Sequence, residues 1–171
     1  MIKLSAALLV TFLVSACATP FKAPTANAVL VPTTGNIVNG TVSFTRQGSG
    51  VLVAGEVRGL APNTEHGFHI HEKGDCSSGD GMSTGGHFNP TAQAHGAYDQ
   101  SAHHAGDLAS VKADANGVAR FSYTSATLTV GQGASDVIGH GLIVHRDADD
   151  FTTQPTGNSG ARVACAVIAK G

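Results

Sequence analysis

Apolar and polar residues alternate along most of this chain with the period of two that marks a half-buried β-strand. In Gly40–Gln47, Val42 and Phe44 fall to one side and Thr41, Ser43 and Thr45 to the other. Val51–Arg58 repeats the pattern with Val51, Val53 and Val57 on one face, and Gly48-Ser49-Gly50 makes the hairpin turn between the two runs. Ala28–Thr33 reads as a short first strand. Thr64–His71 reads as the fourth, entered through the turn Gly59-Leu60-Ala61-Pro62-Asn63. Asp107–Ala113 and Val118–Thr124 flank Asp114-Ala115-Asn116-Gly117, a hairpin turn because Asn-Gly tolerates positive φ. Gly141–Arg146 and Arg162–Ala169 complete the set. Eight short strands without a convincing amphipathic helix predict an all-β sandwich or barrel.

Two stretches carry neither period, Glu72–Gly106 and Asp147–Ala161. A structureless segment as long as the first normally argues against a compact domain. Here it contains Cys76 and a cluster of histidines, and a metal or a disulfide can order a loop that has no ladder of its own.

Composition narrows the function classes. The formal charge is −2, Trp is absent, and 22 residues are Gly. No Lys/Arg run points to nucleic acid, and the few aromatics do not favour stacking on bases or sugars. The glycines and β-branched residues favour strands and turns.

The first residues are a targeting segment. Met1-Ile2-Lys3 supplies a positive start, and the apolar run Leu4 to Val14 is too short to span a bilayer. Val14-Ser15-Ala16-Cys17 resembles the lipobox of bacterial lipoproteins, in which the signal is cut before a Cys that becomes lipid-modified. The other reading is an ordinary secretory signal with an incidental Cys; both imply export. The expected organisation is a signal peptide over 1–16, a lipidated Cys17 and flexible tether over 17–26, and one domain over 27–171, of ordinary size. Part of the tether packing on the domain is the alternative. The expected location is the periplasmic side of a bacterial envelope, attached to a membrane through Cys17.

Three Cys is an odd count for an exported chain. If Cys17 is lipidated, Cys76 and Cys165 remain and can pair in an oxidising compartment. The bridge would close a loop of about 90 residues, for which the chain-entropy account gives roughly 4–5 kcal/mol.

Nine residues are His, and their spacing matters more than their number. Gly67-Phe68-His69-Ile70-His71 places two imidazoles on one strand face and Phe68 and Ile70 on the other, so His69 and His71 can chelate one metal. Alone, such a pair is weak. It is followed by Gly85-Gly86-His87-Phe88-Asn89-Pro90, His95-Gly96 and His104-Ala105-Gly106-Asp107-Leu108, and by His145 in an apolar run. Imidazole suits copper and zinc, and a carboxylate is compatible with zinc.

These motifs closely resemble the copper/zinc superoxide dismutases. Gly67 to Ser77 is similar to one family signature and Gly157 to Ile168 to the other, and the gaps between His87, His95, His104 and Asp107 fit as well. The similarity runs from about Asn27 to Lys170. It implies an eight-stranded antiparallel Greek-key barrel, or flattened sandwich, with two long functional loops. It implies one copper held by His69, His71, His87 and His145, and one zinc held by His87, His95, His104 and Asp107, with His87 bridging both. Asp149 matches the carboxylate that links a copper His to a zinc His. Arg162 matches the cation beside copper that guides the superoxide anion.

The implied reaction is disproportionation of superoxide to oxygen and hydrogen peroxide. Copper is alternately reduced and reoxidised, and His87 leaves copper and takes a proton in between. Zinc orders the loop. The family is a standard example both of electrostatic steering of an anionic substrate and of the sandwich architecture. The loop from Asp147 to Ala161 is short and lacks the charged run of the eukaryotic enzymes, so steering charge is expected from elsewhere. Cys76, directly after Gly74-Asp75, resembles the bacterial branch. A homodimer is compatible with the family, through a contact that need not match the eukaryotic one. His66 is expected to brace loops rather than bind metal, His103 to yield to His104, which has the His-x-x-Asp spacing, and His140 to be a polar site near a loop. The alternative function is a non-catalytic copper/zinc-binding envelope protein, which would need neither Arg162 nor an open copper face.

Overall fold

A computed structural model describes residues 23–171. The lipidation position Cys17 and the signal boundary lie outside the described residues. Among the described residues ten strands follow one another: β1 (Thr25–Pro32), β2 (Asn39–Gln47), β3 (Gly50–Arg58), β4 (Glu65–His66), β5 (Phe68–His71), β6 (Val111–Lys112), β7 (Ala119–Ser125), β8 (Gly141–His145), β9 (Arg162–Val167) and β10 (Ala169–Lys170). A 3-10 turn at Met82–Thr84 interrupts the first long loop.

All paired strands are antiparallel. The main sheet runs β5-β8-β9-β1-β2-β3-β7, with β10 also on β1, and β4 pairs with β6. The chain crosses from β3 to β4–β5 at the far side and returns from β7 to β8, which is Greek-key rather than up-and-down connectivity. The sheet curls into a barrel around Leu30, Phe44, Phe68, Ile70, Leu128, Leu142 and Ile168, all within 1 % of full burial. Phe68 packs edge-on against Phe121, ring centroids 5.3 Å apart.

Four elements differ from the sequence expectation, each for a local reason. β1 begins at Thr25, so the last residues assigned to the tether belong to the sheet. Ala26 pairs with Phe44 and Lys170 and is fully buried. The inward series Ala26, Ala28, Leu30 starts with methyl groups too small to stand out as a hydrophobic pattern. The strand expected over 64–71 breaks at Gly67, whose N–H donates to Asp147 O (2.8 Å) and whose carbonyl accepts from His145 N (2.8 Å). Before it the chain pairs with β6, after it with β8. The strand expected over 107–113 keeps a regular ladder only at Val111–Lys112, because Asp107 turns inward and Ala109 N donates to Tyr123 Oη. The last strand breaks at Ile168, whose backbone groups are taken by Gly139 and His140.

The loop over 72–106 lies along the otherwise free edge of β5. Glu72 N donates to Gly86 O, Phe88 N to Ile70 O and Ile70 N to Gly106 O, at 2.8–3.0 Å. A Cβ on Gly106 would stand 2.3 Å from Ile70 O, so the close approach requires glycine there. The disulfide Cys76–Cys165, spanning 89 positions, ties this loop to β9.

Candidate metal centre

β5 puts Phe68 and Ile70 into the barrel and His69 and His71 under the loop, all four buried. β8 delivers His145 beside them, and the isolated bridge His71↔His87 brings the loop's first histidine across. Two donor sets result. The nitrogens of His69, His71, His87 and His145 lie within 4.8 Å of one another, and so do the donor atoms of His87, His95, His104 and Asp107.

The hydrogen bonds show which ring nitrogen each residue offers. A backbone carbonyl, or a carboxylate that belongs to neither donor set, only accepts, so the nitrogen facing it carries the proton and the other presents a lone pair. His71 Nδ1 donates to Gly85 O (2.9 Å), and His145 Nδ1 to Gly160 O (3.2 Å), which leaves their Nε2 atoms facing each other at 3.4 Å. His69 Nε2 donates to Asp149 Oδ2 (2.6 Å) and His95 Nε2 to Asp149 Oδ1 (3.0 Å). Asp149 therefore turns the Nδ1 of His69 into one set and the Nδ1 of His95 into the other. His87 offers Nδ1 to the second set and Nε2 to the first.

In the second set, Asp107 Oδ1 stands 2.8 Å from His87 Nδ1, 3.0 Å from His95 Nδ1 and 3.2 Å from His104 Nδ1. His104 and His87 Nδ1 are 3.4 Å apart. A tetrahedron at zinc–nitrogen distances has edges of about 3.3 Å, so three imidazoles and a carboxylate fit zinc. His69 Nδ1, His87 Nε2 and His95 Nδ1 are buried with no hydrogen-bond partner. Orphaned lone pairs are costly in a protein interior unless a cation takes them up. The other set is all imidazole, a donor set that suits copper.

The electrostatics agree. Burial lowers His69, and lowers His71 and His145 well below the usual imidazole range, so all three are neutral ligands at neutral pH. Burial likewise takes His87 down to about 4, against the opposing bond to Asp107. Burial would also lower His95, but the carboxylates of Asp107 and Asp149 on either side of its ring outweigh it and raise it to about 9. A proton there and a metal ion compete for the same lone pair. Burial would raise both carboxylates; the imidazoles around Asp107, and His69 and His95 around Asp149, instead hold them far below the usual carboxylate range.

All seven expected ligand residues thus come together, with Asp149 between the sets. His103 does not join them; its Nδ1 donates to His104 O at 2.6 Å. His66 links Thr64 Oγ1 (2.7 Å) to His145 O (2.9 Å), and His140 donates to Glu72 O (2.8 Å) with its ring 3.9 Å from Phe88. His66 and His140 thus tie distant segments together, and His103 bonds only to its neighbour. Arg162 begins β9 beside the disulfide and is half-buried. Its Nη1 donates to Gly81 O and Thr84 Oγ1, and its Nη2 to Gly85 O, each at 2.7 Å.

Sequence reasoning missed three supports. Gln154 brackets the His95 backbone, accepting from its N–H and donating to its carbonyl, both at 2.9 Å. Gly157, at φ +68°, passes so close to Asp149 that a Cβ would lie 1.8 Å from Oδ1. Thr84 holds Arg162. Glycines at 81, 85 and 157 signal unusual backbone, but nothing local names their partners.

Residues 38–168 match the family model described as copper/zinc superoxide dismutase (SODC). The chain is 41 % identical over 137 residues to "Superoxide dismutase [Cu-Zn]" of Paramecium bursaria Chlorella virus 1, covering 77 % of this chain and 72 % of the relative. Among solved structures it resembles the one titled "Crystal Structure Analysis of the clock protein EA4". The TM-score is 0.78 at 38 % identity, covering 89 % of this chain and 98 % of that one.

Proposed function

The chain belongs to the copper/zinc superoxide dismutase family, and on that premise we propose how its own residues carry the family's reaction. That reaction is disproportionation: two superoxide ions and two protons become one oxygen and one hydrogen peroxide. In this reading His69, His71, His87 and His145 hold one copper, and His87, His95, His104 and Asp107 hold one zinc. Copper, when bound, supplies the one-electron cycling that the reaction needs, and zinc is redox-silent.

The observation that carries the reading is His87, whose two ring nitrogens end in different donor sets. Its Nε2 is placed to hold the proton that the product peroxide requires. Asp149 keeps His69 and His95 in the ligating tautomer, and Gly157 leaves room for it. Arg162 keeps its charge although burial lowers its pKa, and it draws the substrate anion in. A protein that only stored metal has no use for a half-buried guanidinium held by three hydrogen bonds.

The test is to measure bound copper and zinc alongside superoxide decay in one purified sample of wild type and of Arg162→Glu. The wild type is expected to hold both metals and to dismutate. Arg162→Glu should keep both metals, since no ligand is touched, and lose roughly tenfold or more in rate at low salt. Its salt dependence should weaken or reverse, because screening then hides a repulsive charge. Wild-type rate in Arg162→Glu at low salt, with full metal, rules out the guide role. Full metal without dismutation in the wild type leaves the storage reading.

The proposal extends to location. Cys17 carries a lipid and anchors the chain on the periplasmic side of a bacterial envelope. Because β1 starts at Thr25, the linker from Ala18 to Pro24 would reach at most about 25 Å. Among the described residues no helix is long and apolar enough to cross a membrane. Cys17→Ser should move the protein from membranes to the soluble envelope fraction and leave the Cys76–Cys165 bridge in place. Wild-type protein found wholly soluble, with no mass added to its first peptide, ends the lipoprotein reading. A homodimer is part of the proposal too, and sedimentation of the purified protein decides it.

A further inference from the structure

Arg162 has five N–H groups in a rigid planar fork. Nη1 donates to Gly81 O and Thr84 Oγ1, and Nη2 donates to Gly85 O. Among the described residues Nε–H has no partner and Nη2 carries one proton beyond its bond to Gly85 O; with that bond made on the Nη1 side, as the contacts of Nη1 to the same loop favour, Nε–H and the second Nη2–H lie on the same side of the guanidinium. That side is a ready bidentate donor for a small anion. The carbonyl of Gly85 also accepts from His71 Nδ1 (2.9 Å), so the guanidinium and a ring of the copper donor set hang from one atom. Gly81 and Gly85, both at φ +77°, turn their carbonyls toward the arginine.

Thr84 is the one side chain in this clamp. It is fully buried, and its hydroxyl proton is spent on Gly81 O at 2.8 Å. The oxygen can then only accept from Nη1. Its methyl is fixed as well, since a Cβ on Gly141 of β8 would lie 2.8 Å from Thr84 Cγ2. A β-branched side chain is stiff at χ1, and the bond to Gly81 O and the packing of its methyl hold this one in place. The hydroxyl is therefore an aimed acceptor.

We propose that Thr84 is a positioning residue for Arg162: with the carbonyls of Gly81 and Gly85 it occupies the inner edge of the guanidinium and turns the Nε–Nη2 edge to the substrate anion. The proposal rests on the reading of Arg162 as the anion-binding residue. Thr84→Val keeps the shape and removes the acceptor. Nη1 then loses one of its two acceptors and the fork can rotate.

The experiment uses the copper- and zinc-loaded protein and azide as the small anion, with the dissociation constant read from the visible absorption of the holoenzyme. Thr84→Val is expected to weaken azide binding and lower kcat/KM together, each by roughly three- to tenfold, the size of one lost hydrogen bond to a charged group. Metal content should stay at the wild-type level. Thr84→Ser should bind azide within about twofold of wild type, because it retains the acceptor. In the reduced, diamagnetic holoenzyme, the Arg162 guanidinium signals should show faster Nη exchange in Thr84→Val than in wild type or Thr84→Ser. Wild-type azide affinity in Thr84→Val overturns the positioning role. So does a Thr84→Ser variant as weak as Thr84→Val, since the hydroxyl then carries nothing. If Thr84→Val fails to fold or to load metal, Thr84→Ala takes its place. Loss of metal in both overturns the proposal, because Thr84 then acts on the loop and not on the arginine. Arg162→Gln runs in parallel. Azide affinity unchanged there removes the reading of Arg162 and this proposal with it, whereas weakening in Arg162→Gln but not in Thr84→Val removes the positioning role alone.

Discussion

His87→Ala abolishes dismutation and loosens both metal sites, whereas His103→Ala leaves both intact. The cause is geometric. His87 Nδ1 is 2.8 Å from Asp107 Oδ1 in one donor set, while its Nε2 is a buried, unpartnered member of the other. Truncation to a methyl removes one ligand atom from each set at once. Loss of an outer hydrogen-bond partner of a metal ligand already costs roughly 10–100-fold in affinity, and loss of a ligand atom exceeds that. The proton held at Nε2 goes too, and general acid–base contributions of this kind are worth roughly 10²–10⁴-fold in rate. Both losses fall on the same variant, so residual activity at saturating metal should be at least about two orders of magnitude below wild type. His103 is equally buried and adjacent in sequence to a ligand, yet its ring only donates to His104 O. It is therefore the stringent control. Metal titration against a competing chelator, with superoxide decay on the same samples, checks the pair. Equal metal loss in the two variants would show that the cluster is assigned wrongly.

The second large effect is on stability. Replacing Cys76 and Cys165 together by Ser removes a bridge across 89 positions, which the chain-entropy account values at roughly 4–5 kcal/mol. For a domain of this size that corresponds to a fall in Tm of about 10–20 °C. The full fall is expected in metal-free protein. With both metals bound, mass action on the folded state offsets part of it. The change is not confined to stability. The segment from Cys76 to His87 contains Gly81, Thr84 and Gly85, the groups that hold Arg162, and β9 carries Arg162 three positions from Cys165. Without the bridge that segment is held to β9 mainly by the arginine it is meant to position. Anion affinity should fall along with Tm, while zinc, three of whose four ligands (His95, His104 and Asp107) lie beyond the segment, stays. Thermal unfolding with and without chelator is the measurement. An unchanged Tm in metal-free protein would mean that the denatured chain is already compact enough for the bridge to add nothing.

Much of the architecture is legible along the chain because strand side chains alternate. Val42 and Phe44, Val51 and Val53, and Phe68 and Ile70 are inward in the sequence pattern and buried in the barrel. The same alternation places His69 and His71 together on the other face of β5. Where the pattern misleads, the cause is a side chain that is small or missing. Ala26 and Ala28 are too short to separate the start of β1 from a tether. Gly67 has no side chain to show that the chain changes partner there.

The choice between His103 and His104 is also sequence-legible. Two intervening residues let the His104 backbone N–H and ring both reach Asp107, at 2.8 Å and 3.2 Å. Gln154, Gly157 and Thr84 are not legible, since each owes its role to a residue with which it shares no motif.

The sequence by itself determined the strand periodicity, the residue types of both donor sets and the membership of a family, because those properties reside in side-chain chemistry and short spacings. Only the tertiary structure decided which ring nitrogen each histidine presents and which groups hold Arg162. Those depend on single hydrogen bonds between residues far apart in the chain: His69 to Asp149 across 80 positions, and Arg162 to Thr84 across 78. A hydrogen bond is directional over a few tenths of an ångström, and no pattern along a chain holds that information until the barrel and its disulfide bring the two ends of each bond together.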